Sequence, residues 1–132
     1  MNPAPLLLIA RLWLDGLHTA APPGRYEGHD ERQARIGMLA RVVAEESENR
    51  AVAALVWVQF RRESSFDVRV HAGSRLGDHG RAICLGQHHA GRHLPRDEWA
   101  ALAGLDEAST RRCGQATLAV LRRSWRYCAS DW

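Results

Sequence analysis

Glu63 is the residue whose neighbours best fit it for proton chemistry. On a helix turning about 100° per residue, Val52, Val56, Gln59 and Glu63 share one narrow face, flanked by Leu55 and Phe60. That spacing predicts a carboxyl group within an apolar stripe, near the C-terminal end of a helix. Burial disfavours the charged carboxylate, and so does the negative end of a helix dipole. Both push its pKa upward, as a general acid working near neutral pH requires. Arg61 and Arg62 pull the other way. A polar side chain where a helix meets its loop is the alternative reading.

A second group with chemical potential is His88, His89 and His93. His89 and His93 share a face if the segment is helical, and spacing by four can hold zinc when a third ligand such as His71 or His79 joins. Gly91 falls inside the pair, Pro95 follows closely, and no Glu directly follows the first His as in the helical zinc motif. No metal and no cofactor is therefore expected, and His88 and His89 are read as residues at the rim of a cleft beside Gln87.

The elements that must position Glu63 are mostly helical. Asp30 can cap a helix with Gln33 as its capping-box partner, and Ile36, Leu39, Ala40 and Val43 line one face of it. Asn49 separates this helix from the one carrying Glu63. Between Phe66 and Gln87 the chain reads as loop and hairpin. Val68-Arg69-Val70-His71 alternates like a short strand, and Gly77-Asp78-His79-Gly80 has turn chemistry. A last helix is expected from about Gly114 to Tyr127, with Leu118, Leu121 and Trp125 on one side. The fold class is α+β, mainly α.

Two segments carry a resemblance to a known family. Glu63-Ser64-Ser65-Phe66-Asp67 resembles the helix end Glu-Ser-Gly-Phe-Asn/Asp of the lysozyme-like lytic transglycosylases, the group of the soluble transglycosylases and goose-type lysozymes. Ser65 stands where glycine is usual. Leu85-Gly86-Gln87, in Gly80-Arg81-Ala82-Ile83-Cys84-Leu85-Gly86-Gln87, is similar to the later Gly-x-x-Gln that closes the family's site. The resemblance implies a lysozyme-like fold, helices around a small β-hairpin, over residues 25–132. It implies cleavage of peptidoglycan glycan strands in the periplasm or outside the cell, by a monomer.

By that resemblance Glu63 is the single acid/base. It protonates the oxygen between N-acetylmuramic acid and N-acetylglucosamine. As carboxylate it then helps the muramyl 6-hydroxyl close onto C1, giving a 1,6-anhydro product without water. Gln87 would bind sugar near Glu63, Ser64 would support the Glu63 loop, and His88 would stand at the cleft rim. A hydrolytic relative needs a second carboxylate. Asp67 and Asp78 are the candidates, Asp67 with capping as its expected task and Asp78 in a turn that can face the cleft. The family continues into a further helix with a Tyr-Asn-x-Gly motif, whereas this sequence ends at Ser130-Asp131-Trp132. It is therefore expected to be C-terminally incomplete relative to the family, and a relative that binds glycan without cutting it is the alternative.

Composition sets the remaining limits. The 132 residues, 45% apolar, suit one folded domain, and the net charge of +3 is carried by a basic set that is all arginine. Residues 1–24 read as an amphipathic helix with Leu7, Trp13, Leu14 and Leu17 packing on the domain, followed by the linker Pro22-Pro23-Gly24. The run Leu6–Ala10 is far shorter than the ~20 apolar residues that span a bilayer. It lacks the basic start of a signal peptide, and Thr19-Ala20-Ala21 is a poor cleavage site. Arg111, Arg112, Arg122, Arg123 and Arg126 with Trp125 suggest a nucleic-acid module, but the last three arginines spread around an amphipathic helix, so nucleic acid is not the expected partner. In a continuous last helix Cys113 and Cys128 stand about 22 Å apart, too far to pair. Cys84 can bridge to either, with Cys113 the better placed, and buried free thiols are the alternative.

Overall fold

The computed structural model describes residues 3–91 and 94–129. It is mainly helical with one two-stranded antiparallel sheet. The elements are α1 (Pro3–Thr19), α2 (His29–Glu46), α3 (Arg50–Ser64), α4 (Val68–Ala72), β1 (Ala82–Ile83), β2 (His88–His89), α5 (Arg96–Ala100) and α6 (Glu107–Ala129). Among the described residues no helix is long and apolar enough to cross a membrane.

The core gathers around α2, whose Ile36, Leu39, Ala40 and Val43 are buried as their periodicity predicts. Asn49 ends the gap between α2 and α3 by capping, its Oδ1 accepting from the Val52 amide at 3.0 Å. From α3, Ala53, Val56, Trp57 and Phe60 enter the same core. Asp30 is not the cap of α2. Gly28 holds that place without a side-chain bond, and Asp30 sits in the first turn, where a carboxylate favours the helix dipole.

The first helix packs on the body through part of the expected face, with Leu17 against the core as expected and Leu8 and Ile9 beside it. Leu7 and Leu14 are exposed, whereas Leu12 is buried and Gly16 marks the closest approach. A Cβ at Gly16 would meet Ile36 Cγ2 at 2.6 Å and Trp57 Cζ2 at 2.7 Å, so only glycine lets α1 cross there. Asp15 Oδ2 accepts from the Trp57 indole at 2.8 Å, and buried Arg32 donates to the carbonyls of Leu17, Ala20 and Ala21. The end of α1 is thus tied to both α2 and α3.

Residues 68–71 form α4 and not the expected strand. Asp67 Oδ1 accepts from the Arg69 amide at 2.8 Å, and this cap starts a helical turn that buries Val70 and His71. The hairpin lies later, with Ala82 opposite His89 and Ile83 opposite His88. α6 begins seven residues before the expected Gly114, just after Asp106, whose Oδ1 accepts from Ser109 N at 2.8 Å. A disulfide joins Cys84, in the hairpin loop, to Cys113 of α6, and Cys128 is free and exposed.

Candidate functional site

The last turn of α3 opens into the site. Ser64 Oγ donates to the Phe60 carbonyl at 2.6 Å and accepts from Phe66 N at 3.3 Å. The backbone then turns left-handed at Ser65 (φ 49°) and Phe66 (φ 55°), and the Ser65 amide closes the helix on the Arg61 carbonyl at 2.9 Å. Serine bears some strain where a glycine would bear none. Phe66 accepts that backbone because its ring is fully buried against Trp57, centroids 4.6 Å apart.

Glu63 is exposed, which corrects the expectation that it sits within the apolar stripe. Val52, at nearly the same helical heading, is buried under neighbouring elements. At the far end of the helix those neighbours give way to a hollow, so the same heading faces solvent. Gln59 Nε2 donates to Glu63 Oε1 at 3.1 Å and fixes one carboxyl oxygen.

Two hollows share Glu63 and Gln87 in their walls. The larger, about 690 Å³, is bounded by Thr19, Arg62, Asp67, Arg75 and Asp78 as well. The smaller, about 340 Å³, runs toward His88, Thr117 and Leu121. Glu63 and Gln87 therefore stand where one depression passes into the other, and an extended molecule laid along both would cross them.

Gln87 comes from the hairpin loop, with φ 51°. Its Nε2 donates to the Cys84 carbonyl at 2.9 Å. Its side-chain oxygen lies against Gly77, where a Cβ would meet it at 1.7 Å, so glycine at 77 makes room for the amide. Asp67 is committed to structure: it caps α4 and takes Arg69 Nη2 at 2.7 Å and Arg75 Nη1 at 3.1 Å. The hydrogen bond from Arg69 holds its carboxyl below the ordinary value against the cost of burial. Asp78, exposed at φ 46°, faces the larger hollow with Arg81 and His89 each 3.6 Å from its carboxylate.

His88 stands in the wall of the smaller hollow, half-buried, with Nε2 2.8 Å from Thr117 Oγ1. Burial, then the Arg123 charge and His89, lower its pKa to about 4, so the ring is neutral. A Cβ at Gly86 would strike both Thr117 Oγ1 and His88 Nε2, at 2.4 and 2.5 Å. The Trp99 indole donates to the His88 carbonyl at 2.7 Å from α5, an element absent from the sequence reading. The proposed pairing of His89 with His93 falls partly outside the described residues.

Sequence reasoning also missed the polar network behind the site. Arg35 donates to the Phe66 carbonyl at 2.8 Å, to Glu27 at 2.5 Å, and lies 3.3 Å from His71 Nδ1. His71 Nε2 is 2.8 Å from Thr110 Oγ1 of α6. Burial, followed by the Arg35 charge, pushes the His71 pKa down to about 3. The available signal was Arg32 and Arg35 recurring on the same face as Ile36 and Leu39. No family model, no curated protein and no solved structure matches this chain.

Proposed function

We propose that this chain is a lysozyme-like domain that cleaves peptidoglycan glycan strands, with Glu63 as its acid/base. The observation that carries the reading is the position of Glu63 and Gln87 at the junction of two hollows of about 690 and 340 Å³. A polysaccharide lying along that line presents a linkage, not a chain end, to the carboxyl group.

In this reading bound glycan covers Glu63 and excludes water from it. Glu63 gives its proton to the linking oxygen, and the N-acetylglucosamine side leaves as the alcohol. The carboxylate then takes the proton of the muramyl 6-hydroxyl as its oxygen bonds to C1, which returns Glu63 to its acid form. Gln59 steadies the carboxyl from within α3, and Gln87 lines both hollows beside it. Asp67, tied to Arg69 and Arg75, has no proton to exchange. Asp78 is the carboxylate available to a hydrolytic variant of the scheme. The cystine suits the oxidising compartment in which cell wall is met.

Digestion of purified peptidoglycan by the wild type and by Glu63→Gln, with products resolved by mass spectrometry, tests the reading. Anhydro-muropeptides are expected from the wild type, with the rate falling about 10²–10⁴-fold in the variant. Reducing-end products would assign a lysozyme and turn attention to Asp78. A folded wild type that yields no product would reduce the role to glycan binding.

A further inference from the structure

The Cys84–Cys113 bridge has an imidazole beside it. The ligand atoms of Cys84, Cys113 and His88 all lie within 4.8 Å of one another, drawn from the hairpin and from α6. We propose that these three side chains form a zinc site when the disulfide is reduced.

The chemistry balances simply. A dithiol reductant gives two electrons and two protons to the S–S bond, becoming a disulfide itself and leaving two thiols. Zinc then displaces both thiol protons to solvent and takes one ring nitrogen of His88. Tetrahedral zinc, with Zn–S of about 2.3 Å and Zn–N of about 2.0–2.1 Å, sets its ligand atoms roughly 3.5–3.8 Å apart. The sulfurs must part and the ring must close in, by shifts on the order of 1–2 Å on that geometry.

One further feature suits a metal. Thr117 Oγ1 touches His88 Nε2 at 2.8 Å and donates to the Cys113 carbonyl at 2.9 Å, so one outer residue steadies two of the three ligand residues. Among the described residues the group has three members. The fourth position falls to water from the hollow that His88 lines, as in sites with two thiolates and one imidazole. The site does not depend on Glu63 being catalytic.

The test uses the full chain with Cys128→Ser, which removes the exposed competing thiol. A water-soluble phosphine reduces the bridge, taking oxygen from one water as it becomes the phosphine oxide. Zinc is then titrated against a chromogenic chelator, with folding followed by circular dichroism and stoichiometry by native mass spectrometry. One zinc per reduced chain is expected, and none per oxidised chain. Affinity should fall at least about tenfold in His88→Ala and persist in His88→Cys. A cobalt-loaded reduced chain should show thiolate charge-transfer absorption. A reduced chain that binds no zinc, whether folded or unfolded, overturns the proposal. So does zinc binding that is unchanged in His88→Ala.

Discussion

Arg35 Nη2 donates to the Phe66 carbonyl at 2.8 Å, tying the middle of α2 to the turn that follows Glu63. The Arg35 and Glu27 side chains are only 6% and 10% exposed, so this is a buried ion pair with a third partner. Removing one member of such a pair leaves a charge without a counterpart. Arg35→Met is expected to cost about 3–5 kcal/mol in denaturant unfolding. Adding Glu27→Leu to it should recover part of that loss, because no carboxylate then remains buried and alone.

The left-handed backbone at Ser65 makes an opposite prediction. Left-handed geometry costs an L-residue about 1–2 kcal/mol, while glycine gains unfolded-state entropy of about 0.4–1 kcal/mol. Ser65→Gly should therefore stabilise the chain, by about 0.5 kcal/mol in net. Ser65→Val should destabilise it, since a branched side chain tolerates φ 49° poorly. Paired denaturation midpoints decide this.

Stability should fall with acid in two windows. His71 and His88, held at about 3 and about 4, are neutral when folded and take up protons when unfolded. Their contribution is complete above the unfolded value of about 6.5 and is lost as pH falls toward those folded values. The carboxyls of Glu45 and Glu107 are depressed mainly by hydrogen bonds from Arg111 and Arg41, Glu107 to about 2. Their contribution is present above the ordinary carboxylate range and disappears below it. Melting temperature against pH should thus drop first between about 6.5 and 4, and His71→Gln should flatten that first limb.

Gly86→Ala is expected to separate His88 from Thr117, because the added methyl occupies the space beside both. Overpacking of this kind costs about 1–3 kcal/mol. The displaced imidazole would meet more water, so the His88 pKa measured by NMR should rise toward its ordinary value. An unmoved pKa would show that the hairpin absorbs the methyl without moving the ring.

How much of this was legible in the sequence differs by element. Periodicity located α2 and α3, and Asn49 marked their boundary through capping chemistry that needs no tertiary context. It misjudged 68–71 because alternation of Val68, Arg69, Val70 and His71 carried less weight than the cap supplied by Asp67. It started α6 late, at Gly114, although a Cβ there would meet no outside atom within 4 Å and the helix passes through. Cys84 and Cys113 were read as the better pair, and they are joined. Of the residues read as a site, Glu63, Ser64, Asp78 and Gln87 border the larger hollow, and Glu63, Gln87 and His88 the smaller. The exposure of Glu63 was not legible, because helical heading says which way a side chain points and not what stands opposite. Thr19, Arg75 and Thr117 reach the same walls from distant parts of the chain, which no local pattern reports.

The cystine encloses both flanks of α5, since Cys84 precedes it and Cys113 follows. A single backbone cut anywhere between those cysteines would therefore leave two polypeptides that still migrate as one. The part bearing Glu63 and the part bearing Cys113 would come apart only on reduction. On a gel, damage to that stretch is invisible until a thiol is added.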